Sequence, residues 1–564
     1  MAEIITEMIL PGTYIEVRAE GLLTIGAIAT GNVGVIGTAE MGGDRIELLS
    51  SFEEGRARFG EMGNWDANDA TAEQGSSLTL VRALKLLFDN GASTVYARRV
   101  YAPAAAQAAT YQILNETNNA VLTLRAKTPG AWGNRLQIRV EPADARELVE
   151  NEQVIRSNGS IALSAQAVLT PEPADASVGN VTVYDQGLQR KYQLKQTSAS
   201  SEVVQINPSN RNLAFFAPPS SAANIFASYW VLANNLRQVS LRYGNVQEVY
   251  TVPSVAYLVQ RLQDERNPSK LVEVVENGNG VAQNILPQNT AGFVAFSGGE
   301  NGAVNAGHFQ EALETLVEQN VQIVLVAGLT FSQMKAAVLG HVEKTENLGR
   351  ERIAVIGADS NQIDKILENA NEVADKRVVL VAPGLTQVDP ESGRSISLPP
   401  YFAAAAVAGK LSSLAPHISP TNKTLAGIER LEQAYNYGQL KALVQNRVLT
   451  LQTRRGTRVV KGISTDDGAF KQISVRRIVD YIKEGTRIGC NQYIGLLNNR
   501  RVRENLRTTL DSFLSDLVTR EFLTGYTLTV FADRAMEIRG EVQVIMDLMP
   551  TFSIDYIRVT MNLS

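Results

Sequence analysis

Apolar positions along this chain follow two periods, and the dominant period changes from region to region. Up to about residue 101 both occur. Residues 13–17 (TYIEV), just past the Pro11-Gly12 turn, read as a strand. Residues 31–37 (GNVGVIG) read as a short buried strand with glycines where backbones approach closely. Across 78–88, Leu80, Ala83, Leu84 and Leu87 recur at helical spacing, Asn90-Gly91 ends that helix, and 94–100 follows as a strand. From 102 to about 290 short β-type runs, among them 120–124, 136–140 and 181–184, alternate with Gly, Pro, Asn and Ser turns. That region reads as mostly β, with 174–179 as surface loop.

From 298 to 383 the period lengthens again. Helices at 309–319, 334–346 and 363–374 are each followed by an apolar run: VQIVLVA at 321–327, RIAVI at 352–356 and VVLVA at 378–382. Three such units in a row predict a parallel sheet covered by helices. Beyond 385, helices are expected at 475–483 and 502–522, the second with Leu506, Leu510, Phe513, Leu514 and Leu517 on one face. The chain closes on two alternating runs. One carries Val542, Val544, Met546 and Leu548; the other carries Ile557, Val559, Met561 and Leu563. The fold class is α/β (α+β mixed) and multi-domain.

Strand patterns at both ends change the picture, because terminal strands fray unless a sheet holds them. Thr13, Tyr14, Ile15, Glu16 and Val17 at one end, and Ile557, Val559, Met561 and Leu563 at the other, have two readings. Either they pair within their own subunit, or they add a strand to a neighbour's sheet, which generates an open head-to-tail polymer.

Composition narrows the function classes. A length of 564 residues suggests three to four domains at ~150 residues each. A formal net charge of −5 supplies no broad field for direct nucleic-acid binding. Cys490 is the one cysteine, so no intrachain disulfide forms, which fits a reducing cytoplasm; it reads as a small buried hydrophobe. The first twelve residues lack a basic n-region and a long apolar run, so no secretory signal is expected. The longest apolar stretch, 401–414, is Ala-rich and interrupted by Gly409 and Lys410, so no stable membrane insertion is expected.

The search for chemistry nominates no catalytic, cofactor-binding or metal-ligating residue. Gly409-Lys410 lacks the upstream glycine and the Ser/Thr of a phosphate loop, and Gln283 stands where a dinucleotide fingerprint starting at Gly278 needs glycine. His308, His341 and His417 are far apart and outside any metal-ligand spacing. Charge is more informative. Arg500, Arg501, Arg503 and Arg507 crowd the start of a helix, where cations oppose the macrodipole by a few tenths to ~1 kcal/mol. Solvation, local pairing with Glu504 and Asp511, or an acidic partner surface each answers that; Arg454, Arg455 and Arg458 form a second cluster.

Taken together, several segments resemble the contractile tail sheath family of phage tails, R-type pyocins and related injection systems. PGTYIE at 11–16 is similar to the family's opening PG-x-Y-x-E, and VGVIG at 33–37 to the strand after it. SFE at 51–53 with Phe59-Gly60, and FDNG at 88–91 with VYARRV at 95–100, follow in family order. AKTPGAWGN at 126–134 is the most specific match, and FSGGENG at 296–302 resembles the entry to the α/β part with Asn301 in place of an Asp. VAPG at 381–384, AVAG at 406–409, SPTNK at 419–423, VRRIVDYI at 475–482 and the stretch from Gly540 to Ile557 continue it. The run at 451–457 departs from the family's Trp-containing pattern, and 144–277 is covered least.

That resemblance implies a discontinuous core from the N- and C-terminal parts, with β-rich and α/β outer domains inserted and strand arms at both termini. In numbers: an N-terminal arm at 1–22, core at 23–101, a β-rich outer insertion at 102–297, an α/β region at 298–384, core again at 385–540 and a C-terminal arm at 541–564. It implies a structural protein, not an enzyme and without cofactors, that polymerises as stacked hexameric rings around an inner tube and contracts to drive the tube through a membrane. Its partners are then itself, the inner tube protein, and baseplate and terminator or cap proteins. Arg500, Arg501, Arg503 and Arg507 become candidates for the tube contact. Assembly is expected in the bacterial cytoplasm, within a phage tail or tail-like particle. A static shell or adhesin, and a nucleotide-dependent α/β enzyme suggested by 321–382, are the competing readings.

Overall fold

The computed structural model describes residues 28–63, 65, 78–157, 160–165, 167–168, 182–195, 199–201, 203–207, 211–216, 225–275, 285–389 and 393–562. The strand expected at Thr13–Val17, and Leu563, lie outside these. Two compact units divide the chain: Met1–Val100 joins Val304–Ser564 in one, and Tyr101–Ala303 forms the other.

The first unit is built on an eight-stranded sheet in the order Glu47–Leu49, Val95–Val100, Val33–Thr38, Ile323–Ala327, Ile353–Gly357, Val378–Ala382, Leu449–Thr453, Thr457–Val459. The six inner strands run parallel, with Val33 opposite both Val95 and Ile323, and Val355 opposite Val379. The two outer strands are antiparallel. The apolar runs of the α/β stretch therefore do not build a region of their own. They supply the centre of the core sheet, because strands apolar on both faces need neighbours on both edges and a helix layer on either side.

Alternation decides which layer each residue meets. Val33, Val35, Leu325 and Val355 face helices Leu80–Asp89 and Pro400–Ser413. Ile36, Val324, Val326 and Ile356 face helices Ala306–Thr315, Phe331–Asn347 and Ile363–Asn371. The 401–414 stretch is thus a core helix rather than a broken apolar run. Gly409 brings its backbone against helix Leu80–Asp89: a Cβ there would stand 2.4 Å from the carbonyl oxygen of Leu87. After the sheet, helices Ile473–Asn491 and Arg500–Thr519 pack with Leu510, Leu514 and Leu517 fully buried, and a hairpin of Leu523–Phe531 and Gln543–Pro550 lies on them.

The second unit is mostly β, with a seven-, a four- and a three-stranded sheet and helix Val255–Leu262. Here the two stretches richest in family resemblance meet. Trp132 is 2% exposed and donates through Nε1 to the Thr128 carbonyl at 3.0 Å. Asn134 and Gly299 exchange hydrogen bonds at 2.8 Å, and the Ala131 amide donates to Asn301 Oδ1 at 2.9 Å. The amide oxygen of Asn301 thus serves as acceptor where a carboxylate would.

Candidate assembly surface

Helix Ile473–Asn491 carries Arg476 and Arg477 among Ile473, Val475, Ile478 and Ile482, and both arginines are buried. A buried guanidinium needs carboxylates or carbonyls around it. Arg476 donates to Asp480 Oδ1 at 2.7 Å. Asp480 also accepts from Arg377 at 2.8 and 3.1 Å, and Arg377 donates through Nε and Nη2 to Glu346, each at 2.9 Å. Arg377 immediately precedes strand Val378–Ala382 and Glu346 ends helix Phe331–Asn347, so the network fastens the C-terminal helix pair to the sheet. The Arg377 guanidinium, with Lys376 beside it, holds the Glu346 carboxyl far below the usual carboxylate range. Glu351 adds a second tie, with Lys483 at 2.6 Å and Arg487 against it.

The hairpin is the exposed end of this assembly. Tyr526 stands opposite Leu548, and Leu528 opposite Met546; these four pack on the helices, while Tyr526 Oη donates to Asp511 Oδ1 at 2.8 Å. The other face leaves Ile545 and Met549 44% and 54% exposed. The sheet has two strands, so among the described residues both outer edges carry unpaired main-chain groups. Isolated hairpins are marginal, and exposed edges invite pairing.

Of the two closing runs, the first forms the hairpin's second strand. The second makes no strand among the described residues. Ile557, Val559 and Met561 are 81%, 70% and 84% exposed, and residues 551–562 lack regular secondary structure. The departing chain is fastened first: the Thr551 amide donates to the Phe522 carbonyl at 3.0 Å, and Lys461 Nζ meets Asp555 Oδ2 and the Tyr556 hydroxyl, each at 3.1 Å.

The four arginines separate. Asn499 caps helix Arg500–Thr519 by accepting from the Val502 amide at 3.0 Å. Arg503 is drawn inward, donating to Asn498 Oδ1 at 2.8 Å and Glu537 Oε1 at 3.0 Å. Arg507 approaches Glu504 at 3.4 Å on the surface. Arg500 and Arg501 are exposed and make no ion pair among the described residues. The preceding loop displays Ile494, Leu496 and Leu497 at 77%, 57% and 78% exposure. No local pattern signals that Glu537 claims Arg503. Two arginines inside an apolar helical face were a readable sign of the Asp480 network.

Where strand order reverses, between Thr38 and Ala327, doubly wound folds bind nucleotides. Here Thr79 closes that position, its hydroxyl 2.7 Å from the Ala327 carbonyl oxygen and its amide donating to Thr38 Oγ1 at 3.2 Å. Among the described residues no group of three or more His, Cys, Asp and Glu is placed to hold a metal ion, and no helix is long and apolar enough to cross a membrane.

Comparison with known proteins agrees with this architecture. Residues 302–465 match the phage tail sheath protein central domain, and 465–564 the phage tail sheath C-terminal domain. A tail sheath protein of Mycobacterium phage Bxz1 is 24% identical over 285 residues, 47% of this chain and 47% of the relative. The chain thus aligns with about half of that relative's length. A sheath tail protein from Desulfitobacterium hafniense shares the fold at a TM-score of 0.58 and 14% identity, over 96% of this chain and 100% of its own. One from Listeria innocua does so at 0.55 and 13%, over 93% and 96%. From residue 302 onward the chain is thus similar to two successive domains of phage tail sheath proteins.

Proposed function

We propose that this chain is the repeating structural subunit of a contractile sheath, and that copies join head to tail by strand addition. The observation that carries this reading is the juxtaposition at the C-terminus. Among the described residues the hairpin has two open edges, and a few residues later Ile557, Val559 and Met561 stand exposed with no partner strand. A neighbour's arm laid along a hairpin edge satisfies both at once, through main-chain hydrogen bonds. Because donor and acceptor surfaces differ, the contact is heterologous and propagates. The N-terminal residues Thr13, Tyr14, Ile15, Glu16 and Val17 are proposed as the second arm, and the exposed Arg500 and Arg501 as the face toward an inner tube. Stacked six-fold rings, contraction that drives the tube through a membrane, and attachment to baseplate and terminator proteins complete the proposal. Assembly in the bacterial cytoplasm goes with it.

Deleting residues 557–564 tests it. The variant subunit is expected to stay folded and soluble, with tubes absent by negative-stain electron microscopy. Tubes of wild-type length from the truncated chain would falsify strand exchange at this end.

A further inference from the structure

The two strands of the C-terminal hairpin, Leu523–Phe531 and Gln543–Pro550, contain one charged side chain between them, Asp547. The closing run, residues 557–564, also contains one, Arg558. Both are exposed, and neither makes an ion pair among the described residues; Asp547 accepts only from the Thr527 hydroxyl, at 2.8 Å.

The two charges also agree in the face they occupy. Asp547 alternates with Met546 and Leu548, which pack on the helices, so it lies on the outward face with Ile545 and Met549. Arg558 alternates with Ile557 and Val559 in the same way. Residues directly opposite in a sheet share a face, and a slip of one position turns every side chain over. Arg558 laid opposite Asp547 therefore carries Ile557 and Val559 onto the layer of Met546 and Leu548, whichever way the strand runs. Registers displaced by two keep that layer but set Arg558 beside Ile545 or Met549. The other outer strand, Leu523–Phe531, has no charge to receive the arginine.

We propose that the closing run of one copy pairs with the Gln543–Pro550 edge of a second copy, in the register that sets Arg558 opposite Asp547. The proposal rests on the strand-addition reading above and adds its edge, its register and the charge pair that selects them. Residues 13–17 do not fit this edge, because Glu16 would stand against Asp547 as a like charge.

Charge reversal in the full-length chain is the test. Asp547→Arg and Arg558→Asp each set like charges opposite one another. Each is expected to raise the subunit concentration needed for tubes several-fold, most strongly at low salt. The chain carrying both changes is expected to assemble as the wild type does. So is an equimolar mixture of the two single variants, since each arm then meets an opposite charge on a copy of the other kind. Pelleting and negative-stain electron microscopy read all four. Single variants that assemble at the wild-type concentration overturn the proposal, as does a double variant no better than the singles. Rescue in the double variant without rescue in the mixture places the pair inside one subunit and overturns it too. Should Asp547→Arg fail to fold, Asp547→Asn and Arg558→Gln decide: together they cost no more than either alone if the residues pair, and additive costs overturn the pairing. Tubes lost on deleting 557–564 but indifferent to charge reversal would leave strand addition standing and refute this register.

Discussion

Arg82 and Asp389 form an ion pair at 2.8 Å with side chains 0% and 2% exposed. Arg82 lies on helix Leu80–Asp89 and Asp389 directly follows strand Leu385–Val388, so the pair locks residues 307 positions apart. Removing one partner takes a buried counterion from the other. Arg82→Met is therefore expected to destabilise this unit by about 3–5 kcal/mol, whereas Arg82→Met with Asp389→Leu recovers most of the loss. Urea unfolding of the two variants beside the wild type measures this, and a double variant no better than the single one contradicts it.

Gly409 lets two helices touch. With the Leu87 carbonyl oxygen only 2.4 Å from where a Cβ would sit, Gly409→Ala meets backbone rather than a side chain that could swing away. The helix gains up to ~1 kcal/mol in propensity from alanine. The separation of Pro400–Ser413 from Leu80–Asp89 then costs about 1–3 kcal/mol. A net fall in thermal stability is expected, read by calorimetry, and a stabilised variant would show that the helices part without loss.

These two sites mark what the sequence disclosed. VQIVLVA, RIAVI and VVLVA were legible as strands because runs apolar on both faces allow little else. The 401–414 stretch showed its hydrophobicity, but not that Gly409 is a contact, since close approach is a property of two helices and one was far upstream. The pairing of Val33 with Ile323 spans most of the chain, and no local pattern encodes it. The final alternating run reads as a strand with one buried face, yet residues 556–562 are exposed on both faces and form no strand, and no local pattern says whose sheet it serves. Arg503 looked like its neighbours because Glu537 lies beyond a helix and a strand in sequence.

Acid should loosen the C-terminal helix pair. Arg377, foremost among its partners, holds the Glu346 carboxyl far below its ordinary value of 4.5. A carboxyl whose folded-state pKa is depressed stabilises the fold in full above that ordinary value and loses the contribution as pH falls toward the depressed one. Melting temperature is thus expected to hold at neutral pH and to decline on acidification below 4.5. Glu346→Gln lowers it at neutral pH and flattens the acid limb. A variant that follows the wild-type acid profile would assign the loss to other carboxyls.

Arg500 and Arg501 separate attachment from stability in a way Arg503 cannot. Both are exposed in the first turn of helix Arg500–Thr519, where positive charge opposes the macrodipole. Changing both to Glu is expected to leave the subunit as stable or more stable, by up to ~1 kcal/mol. If these residues face an acidic tube surface, the same change weakens sheath–tube attachment, and in the wild type raised salt weakens it too. Arg503→Glu instead sets a carboxylate against Glu537, whose partner at 3.0 Å it removes, and lowers melting temperature by several degrees. Thermal unfolding of each subunit and co-sedimentation of sheath with tube read the two effects independently. Full attachment of the doubly reversed protein would exclude these arginines from the tube contact, while unchanged stability of Arg503→Glu would show that Glu537 does not depend on it.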